Sequence, residues 1–328
     1  TGTASAPEIE IDQPVGSGLV DGVSTVDYGP VIVGSNWVRI FTIRNSGALT
    51  LSGLSLSKTG SDSANFTLGS LSVSSLAAGA TTTFSVTFAP GEAVTRNAIV
   101  RVASNDFDEN PFDIAVTGVG VEPEIAIEQP VGTNLTDGVA TVTYGAVNVG
   151  GGVTQPFTVR NTGTAALSGL ALSKVGTNTA DFTLGALSVT TLNPGESTTF
   201  DVTFVPQAYG SRSAVLRVAS NDADENPFDI NLTGTGLATE IVVEQPVGTN
   251  VSDGGSKSFG SVLLRGSASL SFTIKNIGNS NLNDLSITKD GANANEFTIT
   301  ASPSAPVAGP SGSTTFTVQF APTALGSR

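Results

Sequence analysis

The sequence predicts an all-β chain of tandem antiparallel β-sandwiches, and three observations carry that prediction. The same wording returns at a fixed spacing: Asp12-Gln13-Pro14-Val15-Gly16, Glu128-Gln129-Pro130-Val131-Gly132 and Glu244-Gln245-Pro246-Val247-Gly248 stand 116 positions apart. Within each copy apolar and polar residues alternate at period two, the pattern of a strand buried on one face. Gly, Asn and Asp gather between the alternating runs, where a chain turns. A unit of 116 residues can bury its own core, unlike the roughly 20–50-residue units of a solenoid. The expected organisation is a row of self-contained domains at 1–120, 121–236 and 237–328, joined as a semi-rigid rod.

Each element follows from its residues. Residues 8–12, 23–28 and 52–57 alternate in the first copy. Phe41-Thr42-Ile43-Arg44 turns its apolar pair inward, and returns as Phe157-Thr158-Val159-Arg160 and Phe272-Thr273-Ile274-Lys275. Phe84, Val86 and Phe88 share a face, as do Phe200, Val202, Phe204 and Phe316, Val318, Phe320. Residues 98–102 and 112–116 complete about seven strands, the count of an immunoglobulin-like sandwich without its Cys…Trp…Cys signature. Asn45-Ser46-Gly47, Asn161-Thr162-Gly163 and Asn276-Ile277-Gly278 read as turns in which positive φ is cheap. Asp21-Gly22, Asp137-Gly138 and Asp253-Gly254 read as hairpin-type turns. Gly18, replaced by Asn134 and Asn250, predicts left-handed backbone at that position. Residues 63–66 are expected to make one short helical turn.

Several of these motifs, in fixed order, carry a family resemblance. The run F-T-I/V-R/K-N-x-G, the segment Asn65-Phe66-Thr67-Leu68, the strand T-T-F-x-V-x-F-x-P and the close S-N-D-x-D-E-N-P-F resemble bacterial choice-of-anchor D domains. Those domains lie within the abnormal-spindle/hydin-type (ASH) immunoglobulin-like superfamily. The likeness covers essentially the whole chain. It implies repeated surface or secreted modules of very large proteins, held by varied C-terminal anchors, with no shared activity and no catalytic residues. The chain departs from it in carrying no anchor and in ending inside a repeat.

Composition narrows the function classes. Fourteen basic against 28 acidic residues leave a formal charge of −14, which disfavours nucleic-acid phosphates and keeps a long array soluble. There is no Cys, His or Met, so disulfides, thiolate metal sites and the commonest general base are excluded. No apolar run is long enough for a membrane span, so no membrane insertion is expected of this segment. Many Ser residues lack a His partner and no Gly-x-Ser-x-Gly elbow occurs, so no enzyme, catalytic residue or cofactor is expected. A start without Met reads as a processed product or fragment. Thr1-Gly2 is in register with Thr117-Gly118 and Thr233-Gly234, while Arg328 is in register with Arg96 and Arg212. The third copy therefore lacks its last two strands. The plain reading is a fragment; the sharper one is that strands of another chain complete it and build a polymer.

Candidate sites are few. Asp106, Asp108 and Glu109, repeated as Asp222, Asp224 and Glu225, offer three carboxylates within four residues, an oxygen donor set suited to calcium although not an EF-hand loop. The competing reading is an acidic turn whose Asp and Asn cap backbone amides ahead of Pro111. Trp37, matched by Val153 and Ala268, has inward parity and is expected to cap the core, against a sugar-platform alternative. Tyr28, Tyr144 and Phe259 read as core. Asn65, Asn134, Asn231 and Asn250 fit glycosylation sequons, but Asp181 and Glu296 replace Asn65, so that position selects a short polar or acidic group. Lys58, Lys174, Lys257, Lys275 and Lys289 read as solvated surface. The function expected is a structural segment of an extracellular or cell-surface protein, with neighbouring copies or other surface proteins as partners. An adhesive module with a glycan or protein ligand, calcium dependent, and an intracellular scaffold are the alternatives.

Overall fold

A computed structural model describes residues 5–328 of the chain, so the repeat seam at Thr1-Gly2 lies outside the described residues. The first block runs β1 Ile9–Asp12, β2 Thr25–Ile32, β3 Trp37–Asn45, β4 Leu51–Ser52, β5 Ser55–Thr59, β6 Phe66–Leu68, β7 Ser75–Leu76, β8 Thr81–Phe88, β9 Thr95–Ala103 and β10 Phe112–Val121. The second repeats it as β11 Ile125–Glu128, β12 Thr141–Asn148, β13 Val153–Asn161, β14 Leu167–Ser168, β15 Ala171–Val175, β16 Phe182–Leu184, β17 Thr191–Leu192, β18 Ser197–Phe204, β19 Gly210–Ala219 and β20 Phe228–Leu237. The third holds β21 Ile241–Glu244, β22 Asn250–Val251, β23 Ala268–Asn276, β24 Phe297–Ala301 and β25 Ser313–Phe320. One 3₁₀ turn per block, Ser63–Asn65, Thr179–Asp181 and Ala294–Glu296, stands where a single helical turn is expected.

The first two blocks are two-layered. One sheet is ordered β1-β3-β8-β6 and faces β2-β10-β9-β5; β11-β13-β18-β16 faces β12-β20-β19-β15 in the same way. Alternation builds the layers: β8 is buried at Thr82, Phe84, Val86 and Phe88 and leaves Thr81 and Thr83 outside. Phe41 stacks on its cross-strand partner Phe84 at 5.1 Å, Phe157 on Phe200 at 5.3 Å and Phe272 on Phe316 at 4.9 Å. Fully buried rings such as Phe41, Phe84, Phe157 and Phe200 each contribute about 1.5–3 kcal/mol, and the half-buried Phe272 and Phe316 less. Two separate clusters result, one from Ile9 to Val116 and one from Ile125 to Leu232. Most ladders are antiparallel, but β2 lies parallel to β10 and β12 to β20. The parallel pairing arises because the chain leaves β1 in one sheet and crosses to the edge of the other.

The third block has one sheet, β22-β21-β23-β25-β24. Residues 256–263 and 284–290, counterparts of the edge strands β2 and β5, are not strands. In the first two blocks those edges pair with β10 and β9 or their counterparts β20 and β19, and among the described residues the third block has no such ladder. An edge without its ladder partner has nowhere to send its backbone hydrogen bonds.

Three turn readings are corrected. Gly47, Gly163 and Gly278 do not have positive φ. They are glycine because the connecting chain crosses directly over them: a Cβ at Gly163 would fall on the Glu122 carbonyl and 2.6 Å from the Glu124 nitrogen. Position 18 is not left-handed either. Gly18 and Asn134 bridge to Asp12 and Glu128 in extended pairing, and Asn250 begins β22. Gly22 and Gly138 do have positive φ, 64° and 65°, but the Asp-Gly turns join strands of opposite sheets instead of closing hairpins. Their Asp21 and Asp137 Oδ1 atoms accept the Asp113 and Asp229 amides at 2.6 Å.

Candidate functional site

The acidic turn between the last two strands is built first by its own capping bonds. Asn105 Oδ1 accepts the Ser52 amide at 2.7 Å and its Nδ2 donates to the Thr50 carbonyl at 3.2 Å. Asn110 Oδ1 accepts the Ser104 amide at 3.2 Å. Asp106, 3% exposed, accepts the Ile9 amide at 2.7 Å and so fixes where β1 starts. Asn221, Asn226 and Asp222 repeat every one of these contacts, with Asp222 on the Ile125 amide at 2.7 Å.

The same fold gathers carboxylates. Glu124, Asp222, Asp224 and Glu225 bring oxygens within 4.8 Å of one another, and Glu8, Asp106 and Asp108 do so in the first block. Glu109 stays outside the first group, whereas its counterpart Glu225 joins the second. Glu8 and Glu124 are absent from the sequence-based candidates because they stand 98 positions upstream of Asp106 and Asp222. The available signal was a Glu just before the first strand of every copy, Glu8, Glu124 and Glu240.

Electrostatically the second cluster is under like-charge pressure. Burial raises the Glu225 carboxyl to about 7, helped by Glu124, Asp224, Asp222 and Asp137. Burial raises Glu124 too, with Asp222, Asp224 and Glu122 adding to it. Asp222 is also raised, burial outweighing the stabilising Ile125 N–H. Glu225 Oε2 is buried with no hydrogen-bond partner. In the first block Glu8 and Glu109 are raised, again chiefly by burial and then by neighbouring acids. An all-oxygen donor set with an orphaned carboxylate oxygen fits a hard cation such as calcium, with water completing the six to eight ligands it takes. A proton shared among the carboxylates would relieve the same repulsion.

Other singled-out residues have structural places. Trp37 is not a core cap: its parity is inward, yet it is 58% exposed. Arg39, two residues along, lies 5.6 Å over the Tyr28 ring and closes the core ahead of it. Tyr28 and Tyr144 are buried; the Tyr28 hydroxyl donates to the Val86 carbonyl at 2.8 Å, while the Tyr144 hydroxyl has no partner. Four lysines are not free surface groups, Lys275 because its Nζ donates to the buried Glu244 Oε1 at 2.6 Å. Lys58, Lys174 and Lys289 Nζ donate to the carbonyls of Phe66, Phe182 and Phe297, the start of an edge strand in each block. Asn65, Asp181 and Glu296 accept the amides of Gly91, Gln207 and Thr323, a shared role for an acceptor side chain.

The most telling residue missed in sequence is the Asn of Asn-x-Gly. Asn45, Asn161 and Asn276 are fully buried. Asn161 Nδ2 donates to the carbonyls of Ala165 and Leu192 at 2.8 and 2.9 Å, and its Oδ1 accepts the Gly163 amide at 3.0 Å. It clamps a loop and the short strand β17 to the strand end, and the fixed Asn in all three copies was the signal.

The family model described as abnormal spindle-like microcephaly-associated, ASPM-SPD-2-Hydin (ASH) matches residues 21–110 and 134–226. Similar solved structures include a protein of unknown function from Porphyromonas gingivalis W83, at 14% identity over 69% of this chain and 99% of that one, TM-score 0.27. They also include the ASH/PapD-like domain 7 of human CEP192, at 15% identity over 35% of this chain and 87% of that one, TM-score 0.26. The D00-D0 domain of intimin aligns at 14% identity over 70% of this chain and 100% of that one, TM-score 0.28. No curated protein matches. Similarities this low add nothing about activity, and no helix among the described residues is long and apolar enough to cross a membrane.

Proposed function

Because the chain belongs to the ASH (ASPM-SPD-2-Hydin) family, we propose that it is a non-catalytic structural segment of a large extracellular or cell-surface protein, a stalk, fibre or surface-layer component. The observation that carries this reading is the joint. Only residues 122–124 separate β10 from β11, and only 238–240 separate β20 from β21. Each joint is bonded into the block that follows it. Ala165 N donates to the Glu122 carbonyl at 2.8 Å, and Glu122 N to Thr164 Oγ1 at 3.1 Å. At the second joint Ser280 N donates to the Ala238 carbonyl at 3.0 Å, and Asn279 Nδ2 to the Gly236 carbonyl at 2.6 Å. Links this short and this bonded restrict hinging, unlike long Gly/Ser linkers. A semi-rigid row of sandwiches holds a distal element away from its base, and the −14 charge keeps neighbouring rows apart. Small-angle scattering tests it: an elongated particle with a rod-like cross-section is expected, and a compact particle refutes it.

A second reading, a calcium-dependent adhesive module, is favoured by one observation, the convergence of Glu124, Asp222, Asp224 and Glu225 with the Glu225 Oε2 unpartnered. Calcium bound there would neutralise the repulsion and tie the entry of β11 to the β19–β20 turn. Millimolar calcium would then raise the melting temperature of the second block by mass action, and magnesium much less. An unmoved melting curve removes this reading and leaves the rod intact.

A further inference from the structure

The first block has an open strand edge whose outward side chains are apolar, a combination its sister blocks lack. The β1–β3 ladder ends at Asp12 opposite Thr42, because the residue that would next face Ile40 is Pro14, which has no N–H to donate. Asn45 N bonds toward β8, at the Ala80 carbonyl, and Ser46 N toward β1, at the Glu8 carbonyl. By the alternation of an antiparallel ladder, Val38 and Ile40 therefore turn their N–H and C=O groups to the side where β1 has ended. Val38 and Ile40 are 49% and 58% exposed, and Trp37, next along the strand and on the other face, is 58% exposed.

The corresponding window of the second block is closed by chemistry. Val38 and Ile40 are replaced by Thr154 and Pro156, and proline removes the edge donor. In the third block they are Ser269 and Ser271. These outward positions contribute nothing to either core, so core packing does not explain why the first block alone is apolar here.

Arg39 supplies the charge. Its Nη2 donates to the Asp27 carbonyl at 2.7 Å, but its Nε is buried with no partner. Arg44, Arg96 and Arg101 each have a carboxylate; Arg39 has only a carbonyl and a ring face. Its counterpart in the second block is the neutral Gln155, already bonded to the Thr143 carbonyl and to Gln129.

We propose that the edge of β3 at Val38–Ile40 accepts an extended strand from a partner polypeptide, with an acidic side chain set against Arg39 and an apolar side chain on either side of it against Val38 and Ile40. Strand addition satisfies the free backbone groups, and the alternating side chains choose the sequence. The carboxylate meets a guanidinium that otherwise lacks an anionic partner.

The test uses the intact chain and an acetylated, amidated peptide, TVEVT, with TVKVT as control. Trp37, the only Trp, reports binding through its emission. Saturable binding is expected, with the glutamate peptide at least about tenfold tighter than the lysine peptide. Ile40→Pro, which carries the second block's residue, is expected to weaken binding about tenfold through the lost edge donor. Should that variant melt early, Arg39→Gln decides instead: it is expected to erase the preference for glutamate over lysine. No emission change at millimolar peptide overturns the proposal, as does equal affinity for the two peptides. A concentration-dependent dimer abolished by Ile40→Pro overturns it as well, because the edge would then belong to a second copy. None of these outcomes depends on the shape of the array.

Discussion

Replacing Asn45 by Ala is expected to destabilise the first block by about 3 kcal/mol. The side chain is fully buried. Its Nδ2 donates to the Leu49 and Leu76 carbonyls at 2.8 and 3.0 Å, and its Oδ1 accepts the Gly47 amide at 3.1 Å. Truncation leaves three backbone groups without this partner, and each such loss costs about 1 kcal/mol or somewhat more. For a domain of this size that corresponds to a drop of roughly 10–20 °C in melting temperature. Trp37 is the only Trp in the chain, so a fluorescence-detected melt follows the first block alone. Asn161→Ala removes the same clamp from the second block and is expected to leave that transition in place while lowering one seen by circular dichroism. A shift of under about 3 °C for Asn45→Ala would refute the clamp. Equal movement of the Trp37 transition by Asn161→Ala would refute the independence of the two cores.

Gly163→Ala forces a Cβ onto the Glu122 carbonyl and within 2.6 Å of the Glu124 nitrogen. It is expected to cost about 1–3 kcal/mol in urea unfolding, whereas a Cβ at Gly152 has ordinary room and Gly152→Ala should be near neutral. Tyr28→Phe loses a buried hydrogen bond and is expected to cost about 1 kcal/mol. Tyr144→Phe removes an unpartnered hydroxyl and is expected to be neutral or stabilising in the same calorimetric comparison. Glu225 takes up its proton at about pH 7 when folded, against 4.5 for the ordinary group. The folded block therefore binds more protons than the unfolded chain between those values, and stability falls as pH rises through that window. Without calcium, Glu225→Gln is expected to flatten the fall and raise the melting temperature at pH 8. A variant that melts lower at pH 8 in chelator would show that the carboxylate is satisfied in some other way.

The acidic site was half legible in the chain. Asp106, Asp108 and their counterparts sit within a few residues of one another, so spacing alone brought them together. Glu8 and Glu124 reach the clusters only because Asp106 and Asp222 hold the first amide of β1 and of β11. That contact spans 97 positions, and no local pattern encodes it. The same holds for Asn45, whose type suggested a turn while its bonds run to the following loop at Leu49 and to β7 at Leu76, 31 positions away.

By itself the sequence determined the repeat, the long alternating strands and the face their side chains take, because periodicity is a property of neighbouring residues and survives without any partner. It did not give the short β6 and β7, and the strand expected at 52–57 divides between β4 and β5 in two sheets. Tertiary structure decided depth and pairing. Trp37 has the parity of Phe41, yet one is exposed and the other buried, because Arg39 over Tyr28 marks where the opposing layer ends. Residues 256–263 carry the third block's version of β2 but form no strand, whereas β2 and β12 stand as edge strands on the ladders of β10 and β20. Which face is inward is written along the chain; how far inward it lies depends on what packs against it.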